Sequence, residues 1–190
     1  SPNGLLPQTA SISLGGILLA AGAGDLTFTG PGSGSAKTLS IGSSGVVNNS
    51  TSSTLTFDIT SKVNIALSAS TSFTANGAIS ILDDTNRGST SGFTLGAFTL
   101  TLDGSSTSAL IEKGFIGTGG SVVKSGTGTW TIAGANTYTG STTLSAGTLS
   151  VSLLANGGPG SNLGSSSSAA ANLVFDGGML QYTGAAVSID

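Results

Sequence analysis

Residues 122–151 read VVKSGTGTWTIAGANTYTGSTTLSAGTLSV, and this stretch decides the fold. Apolar residues recur two positions apart, with a hydroxyl side chain between them, at Trp130/Ile132 and Leu149/Val151. A period of two places both apolar side chains on one face of an extended chain. The stretch therefore predicts short β-strands separated by glycine-containing turns.

The same apolar pair recurs outside this stretch, at spacings of 19 to 30 residues that average about 24. That spacing is typical of solenoid repeats, and the closer spacing of glycine-rich turns indicates two or three short strands in each coil. We predict a single all-β segment over residues 1–190, a parallel β-helix (β-solenoid) of roughly eight coils of about 24 residues. The pairs are Leu26/Phe28, Leu55/Phe57, Ile79/Ile81, Leu100/Leu102, Trp130/Ile132, Leu149/Val151 and Leu173/Phe175.

Stacked coils predict internal ladders, because each coil places its apolar pair above the pair of the coil before it. One ladder is expected to contain Leu26, Leu55, Leu100, Leu149 and Leu173. A second ladder is expected to contain Phe28, Phe57, Leu102, Ile132, Val151 and Phe175, and Trp130 is expected to point inwards beside them. Asp or Gly follows most pairs, which predicts a turn at the end of the strand.

Composition excludes several classes of function. Only 7% of the residues are charged, the net charge is −3, and five basic residues give no footprint for nucleic acid. The sequence has no His and no Cys, which excludes a Ser-His-Asp triad and zinc sites built on His or Cys. We predict no catalytic, cofactor-binding or metal-binding residues.

Two weaker signals leave alternatives open. Asp83, Asp84 and Arg87 form the densest charged patch, which we interpret as a solvated turn, although an acid pair also suits calcium or a polysaccharide-acting β-helix enzyme. Thr-x-Thr triplets recur and would suit an ice-binding solenoid, but the irregular spacing argues against a flat array. Lys124 is expected to be an exposed turn residue.

Residues 122–151 resemble the passenger-associated repeat of bacterial autotransporters. The resemblance rests on three parts of the stretch, and it implies structural roles for Lys124, Gly126 and Gly128, for Gly134, Asn136, Tyr138 and Gly140, and for Gly147 and Leu149 in the closing Ala-Gly-Thr-Leu. The resemblance implies a right-handed parallel β-helix outside the outer membrane of a Gram-negative cell. It implies contact with a membrane only through a C-terminal barrel that these residues do not include.

We therefore predict an extracellular structural or adhesive β-helix, acting as a cell-surface stalk or a self-associating fibre element. Possible partners are other copies of the chain, stacked head to tail, and a ligand on a host or neighbouring cell surface. Residues 1–20 are apolar enough to form an edge strand for such assembly. No nucleic acid partner and no cofactor are predicted.

Overall fold

The computed structural model describes residues 3–5, 11–30, 35–58, 63–82, 92–112 and 114–189, with the backbone alone for residues 3–5. These residues form an all-β solenoid, and their only helical segment is a 3-10 turn at Ala170–Asn172. The strands are β1 Asn3–Leu5, β2 Ile12–Leu19, β3 Leu26–Thr29, β4 Lys37–Asn48, β5 Leu55–Asp58, β6 Val63–Leu67, β7 Thr71–Ala75, β8 Ile79–Leu82, β9 Phe93–Thr94, β10 Thr99–Asp103, β11 Ala109–Ile111, β12 Phe115–Ile116, β13 Ser121–Lys124, β14 Thr129–Ile132, β15 Thr142–Leu144, β16 Thr148–Val151, β17 Leu173–Phe175 and β18 Met179–Tyr182.

The strands stack in parallel into two hydrogen-bonded sheets. The first sheet has the order β1-β3-β5-β8-β11-β14-β16-β18. The second has the order β12-β9-β6-β4-β7-β10-β13-β15-β17, and β2 pairs with β4 beside this path. Each sheet takes its strands from successive windings of the chain, as a parallel β-helix requires. The predicted fold class is confirmed.

The second sheet covers two faces of the solenoid, because β4 turns a corner within its length. Its residues 37–41 pair with β6, whereas its residues 46–48 pair with β7. The corner includes Gly45, whose positive φ of 70° suits glycine. We call the face that contains β6, β9 and β12 the third face. It continues beyond β12 without named strands, since the Thr137 N–H donates to the Phe115 carbonyl and the Ser165 N–H donates to the Tyr138 carbonyl, both at 2.8 Å.

The solenoid makes about six turns, slightly fewer than the predicted eight. From β3 onwards the first sheet gains one strand per turn, ending with β18. The turns differ in length: 19 residues separate the paired residues Ile132 and Val151, but 31 separate Val151 and Tyr182. The estimate of eight coils assumed a constant length near 24, whereas the corners take up different numbers of residues.

The apolar side chains form columns inside the solenoid, but the two predicted ladders are partly wrong. Leu100 and Leu102 lie on β10 in the second sheet, where they pair with Thr71 and Phe73. Leu173 and Phe175 also lie in the second sheet, on β17. The i, i+2 pattern identifies strands with an inward face, but it does not say which face of the solenoid a strand occupies. The first sheet contains the other predicted members: Leu26, Phe28, Leu55, Phe57, Trp130, Ile132, Leu149 and Val151.

Burial falls off towards both ends of the described chain. Trp130, Ile132, Leu149 and their neighbours are almost fully buried, whereas Leu26 and Phe28 in the first complete turn are half-buried. Phe175 is 60% exposed, because no described strand lies beyond β17 to cover it. The prediction that Phe175 belongs to the core is therefore wrong for the described residues.

A chain of aromatic rings crosses the core between the faces. Consecutive ring centroids lie 5.0 to 6.5 Å apart, within the usual range for aromatic pairs. This row of rings starts with Phe28 on the first sheet and ends with Tyr138 on the third face, in the middle of the 122–151 stretch. Its members are Phe28, Phe57, Phe73, Phe93, Phe115 and Tyr138.

Candidate functional site

Lys124 lies inside the solenoid, so the expectation that it is an exposed turn residue is wrong. It follows Val122 by two positions on β13, and both side chains point inwards. Its Nζ donates to the carbonyls of Ser125, of Gly126 at 3.1 Å and of Ala146 at 3.2 Å. Lys124 therefore joins the turn after β13 to the equivalent turn of the next coil.

Burial lowers the pKa of the Lys124 ammonium from its ordinary value of 10.5, and the negative charge of Asp103 acts in the opposite direction. An ammonium group without water is costly unless acceptors surround it. Three backbone carbonyls supply these acceptors and so offset the cost of burying the ammonium group. The lysine in turn supplies a donor to carbonyls of both turns.

Gly126, Gly128 and Gly147 let these two turns stack closely. Gly147 has φ = 60°, and a Cβ atom at this position would lie 2.5 Å from the Gly128 carbonyl oxygen and 2.8 Å from Lys124 Nζ. A side chain there would be strained by its backbone conformation and would also displace the lysine. Glycine is therefore required at position 147 both by the turn and by the hydrogen bonds that Lys124 donates to the carbonyls of the two turns.

We expect Gly147→Ala to lower the free energy of unfolding by about 2–3 kcal/mol, because the backbone strain adds to a close contact with backbone oxygens. Gly22→Ala is the matched control, since Gly22 has φ = 75° but no atom within 4 Å of a Cβ atom. The control is expected to lose only about 1 kcal/mol. Urea unfolding followed by circular dichroism measures both losses, and equal losses would contradict the close contact.

Asn136 forms a buried amide pair with Asn162. The Asn136 side chain accepts from the Phe115 N–H at 2.6 Å and donates to the Asn162 carbonyl at 2.6 Å. The Asn162 side chain donates to the Gly134 carbonyl at 2.5 Å and accepts from the N–H groups of Ser152 and Leu153. Both residues are fully buried. The pair ties the repeat to the long connection between β16 and β17.

Tyr138 lies on the third face, and its side chain is fully buried. Its hydroxyl lies 2.6 Å from Thr142 Oγ1, and Thr142 donates in turn to the Leu163 carbonyl. Burial raises the pKa of Tyr138 above its ordinary value of 10.0, although the bond to Thr142 acts in the opposite direction. Gly140 follows at a point where a Cβ atom would lie 2.5 Å from the Gly120 carbonyl oxygen.

The raised pKa of Tyr138 predicts a loss of stability in alkali. The folded state keeps the phenol proton at a pH where the unfolded chain releases it, so stability is full below about pH 10 and falls above it. The slope from this one group is at most about 1.4 kcal/mol per pH unit. Urea midpoints between pH 8 and 11 should fall less steeply for Tyr138→Phe than for the natural chain. Tyr182→Phe, which removes an exposed hydroxyl, is the control; equal slopes for Tyr138→Phe and the natural chain would contradict the prediction.

The motif residues thus satisfy backbone groups between coils and do not converge on a cleft. No three His, Cys, Asp or Glu side chains in the described part of the chain come together to hold a metal ion. The charged patch at Asp83, Asp84 and Arg87 lies outside the described residues. Within the described ranges, no helix has the length and apolar character needed to cross a membrane.

Sequence reasoning missed Asn162 and Thr142, although both contribute to the site. Each complements a residue of the repeat: Asn162 pairs with Asn136, and Thr142 pairs with Tyr138. The separations are 26 and 4 residues, and no periodic pattern links them. The only available signal was chemical, since a buried Asn or Tyr needs a polar partner.

Comparison with known proteins gives two matches. The family model for the passenger-associated-transport-repeat matches residues 122–151. The chain is also 44% identical over 97 residues to the Adhesin BmaC autotransporter of Brucella suis biovar 1 (strain 1330), a match that covers 50% of this chain and 3% of that protein. No solved structure matches the chain. The matched repeat, this similarity and the stacked parallel coils support an autotransporter passenger with β-helix repeats.

Proposed function

We propose that the chain is an extracellular, cell-surface passenger segment whose role is structural and adhesive and not catalytic. The relative that covers half of this chain is named as an adhesin, which supports the adhesive part of the proposal. The absence of His and Cys from the sequence supports a non-catalytic role.

The observation that carries the adhesive role is an uncharged column on the outer surface of the second sheet. Strand pairing aligns outward-facing side chains, and each neighbour lies about 4.8 Å from the next along the solenoid axis. Thr and Val are stiff at χ1, so a partner that binds there orders few rotamers. Such a column offers hydroxyl and methyl groups to a flat, uncharged partner. The members are Ser72, Thr101, Val123, Thr143 and Val174.

Beads coated with the chain test the adhesive role. We expect them to bind cultured cells several-fold better than uncoated beads. Replacing Thr101 and Thr143 together by Lys should weaken this binding, because two charges then interrupt the column. Thr131→Lys places a charge on the outer surface of the first sheet and is the control. Coated beads that bind no better than uncoated beads would refute the adhesive role.

We also propose head-to-tail self-association, on the basis of the last described layer of the solenoid. Phe175 and Tyr182 face inwards by pairing with Leu144 and Val151, yet they are 60% and 37% exposed. Unpaired strand edges and uncovered apolar side chains favour the addition of another strand. A heterologous contact of this kind need not close, so it would produce filaments. Residues 1–20 of a second copy are the proposed occupant.

Negative-stain electron microscopy and light scattering test the self-association. We expect filaments from the natural chain and short rods from Phe175→Glu. Met179→Glu is a matched control, because Met179 is 62% exposed but faces outwards beside Thr148. Deletion of residues 1–20 should also abolish assembly. Short rods from the natural chain would refute the proposal.

Two activities that the sequence left open are checked with the same preparation. Calcium-dependent loss of a uronate polymer would favour a polysaccharide-acting enzyme over the proposed role. Thermal hysteresis with faceted ice crystals would favour an ice-binding solenoid.

A further inference from the structure

The long connection between β16 and β17 borders an open pocket. This connection, residues 152–172, is held against the repeat by Asn162, which bonds to Gly134 and Asn136, and by the Ser165 N–H, which donates to the Tyr138 carbonyl. Its outer part folds back on itself, since the Gly158 N–H donates to the Ser166 carbonyl at 2.8 Å. Between this part, the start of β17 and Ile189 lies a cavity of about 220 Å³.

The pocket has an apolar floor and a polar rim. The lining residues Leu154, Leu163 and Leu173 are half-buried, whereas the lining residues Asn156, Ser167 and Ser168 are exposed. The Asn172 amide group donates to both the carbonyl and the hydroxyl oxygen of Ser167 at 2.9 Å, so this part of the rim is fixed before any ligand binds. None of the described residues that line the pocket is charged.

These properties restrict the ligand. Without charged groups in the lining, the pocket has nothing to compensate for a buried charge on the ligand, so a neutral ligand is favoured. Hydroxyl and amide groups both donate and accept, which suits a ligand that carries several hydroxyl groups. The volume is below the roughly 300–1,000 Å³ of pockets that hold drug-sized ligands. A single sugar ring combines a small size, one apolar face and several hydroxyl groups.

We propose that this pocket binds one neutral monosaccharide unit of a glycan, with its apolar ring face on Leu163 and Leu173 and its hydroxyl groups towards Ser167 and Asn172. The inference rests on the adhesive role proposed above and gives it a ligand class. A site of this size and exposure should bind weakly, with a dissociation constant on the order of 1 mM. Useful adhesion would then come from many copies acting together.

Saturation-transfer NMR with the full chain tests the pocket. The probes are methyl glycosides of neutral hexoses, 6-deoxyhexoses and N-acetylhexosamines, with a methyl glucuronide as the charged comparison. We expect transfer to at least one neutral glycoside and none to the glucuronide. Ala169→Trp places an indole in the rim from an exposed position and should weaken binding at least tenfold. Ala97→Trp makes the same change at an exposed position outside the lining and should leave binding unchanged.

The possible results separate the pocket from the adhesive role. No transfer to any neutral glycoside, or equal transfer in Ala169→Trp, would overturn the pocket. Beads carrying Ala169→Trp should bind cells less well than beads carrying Ala97→Trp. If Ala169→Trp beads bind cells fully while the sugar site is lost, the pocket binds the sugar but adhesion occurs elsewhere on the chain, and the link between the pocket and the adhesive role is overturned. If no coated bead binds cells but the glycoside still binds, only the adhesive role fails.

Discussion

Trp130→Ala is expected to lower the free energy of unfolding by about 3–5 kcal/mol, because it removes the largest buried side chain of the described core. Trp130 stacks between Ala109 and Leu149 in adjacent coils, so the cavity would open between layers that cannot easily close on it. Its Nε1 also donates to the Asp103 carbonyl at 2.9 Å, and the substitution removes this bond between coils.

Urea unfolding followed by far-ultraviolet circular dichroism measures this loss, since Trp130 is the only tryptophan and the variant has no indole fluorescence. Trp130→Phe separates the two causes, because it keeps most of the packing and removes the donor. We expect it to lose about 1–2 kcal/mol. Because adjacent coils stabilise each other, the loss should appear as a shifted midpoint and not as a separate early transition. A loss below 1 kcal/mol for Trp130→Ala would contradict the described packing.

Asn136→Ala is expected to cost about 2–5 kcal/mol, because it leaves two buried backbone groups without partners. The Phe115 N–H loses its acceptor and the Asn162 carbonyl loses its donor. Each unsatisfied buried group costs about 1–3 kcal/mol. The connection that contains Asn162 should also loosen, and amide hydrogen exchange should accelerate in residues 152–172.

Asn49→Ala is the control for Asn136→Ala, since the side chain of the exposed Asn49 bonds only to the side chain of Asn76 within the described contacts. We expect this surface change to stay within about 0.5 kcal/mol of the natural chain. If hydrogen exchange in residues 152–172 is unchanged in Asn136→Ala, the amide pair does not anchor the connection.

The strands were predictable from the sequence because the period of two is a local property. Leu55 and Phe57 alternate with the half-buried Thr56 and Asp58, and no distant contact is needed to infer an inward and an outward face. The face of the solenoid was not predictable by the same means. Leu100 and Leu149 have the same local pattern but lie in different sheets, because the number of residues at each corner decides which face the next strand reaches.

The burial of Lys124 shows a second limit of pattern reading. Its position two residues after Val122 indicates an inward side chain, whereas its charge suggests an exposed one. The period of two gives the correct answer, because the carbonyls of Ser125, Gly126 and Ala146 replace the water that the ammonium group loses. These acceptors come from a turn 22 residues away as well as from the adjacent one, and the sequence does not reveal that they meet.

The unequal turn lengths bear on how such a passenger can evolve. Windings of 19 and 31 residues stack on the same column of strands, so added residues accumulate at corners without shifting any inward side chain. Insertions and deletions at corners are therefore close to neutral for folding, whereas a single deletion within a strand reverses its inward and outward faces. Natural variants of this passenger should differ in length mainly at the corners, and the pocket-bearing connection is one of these variable places.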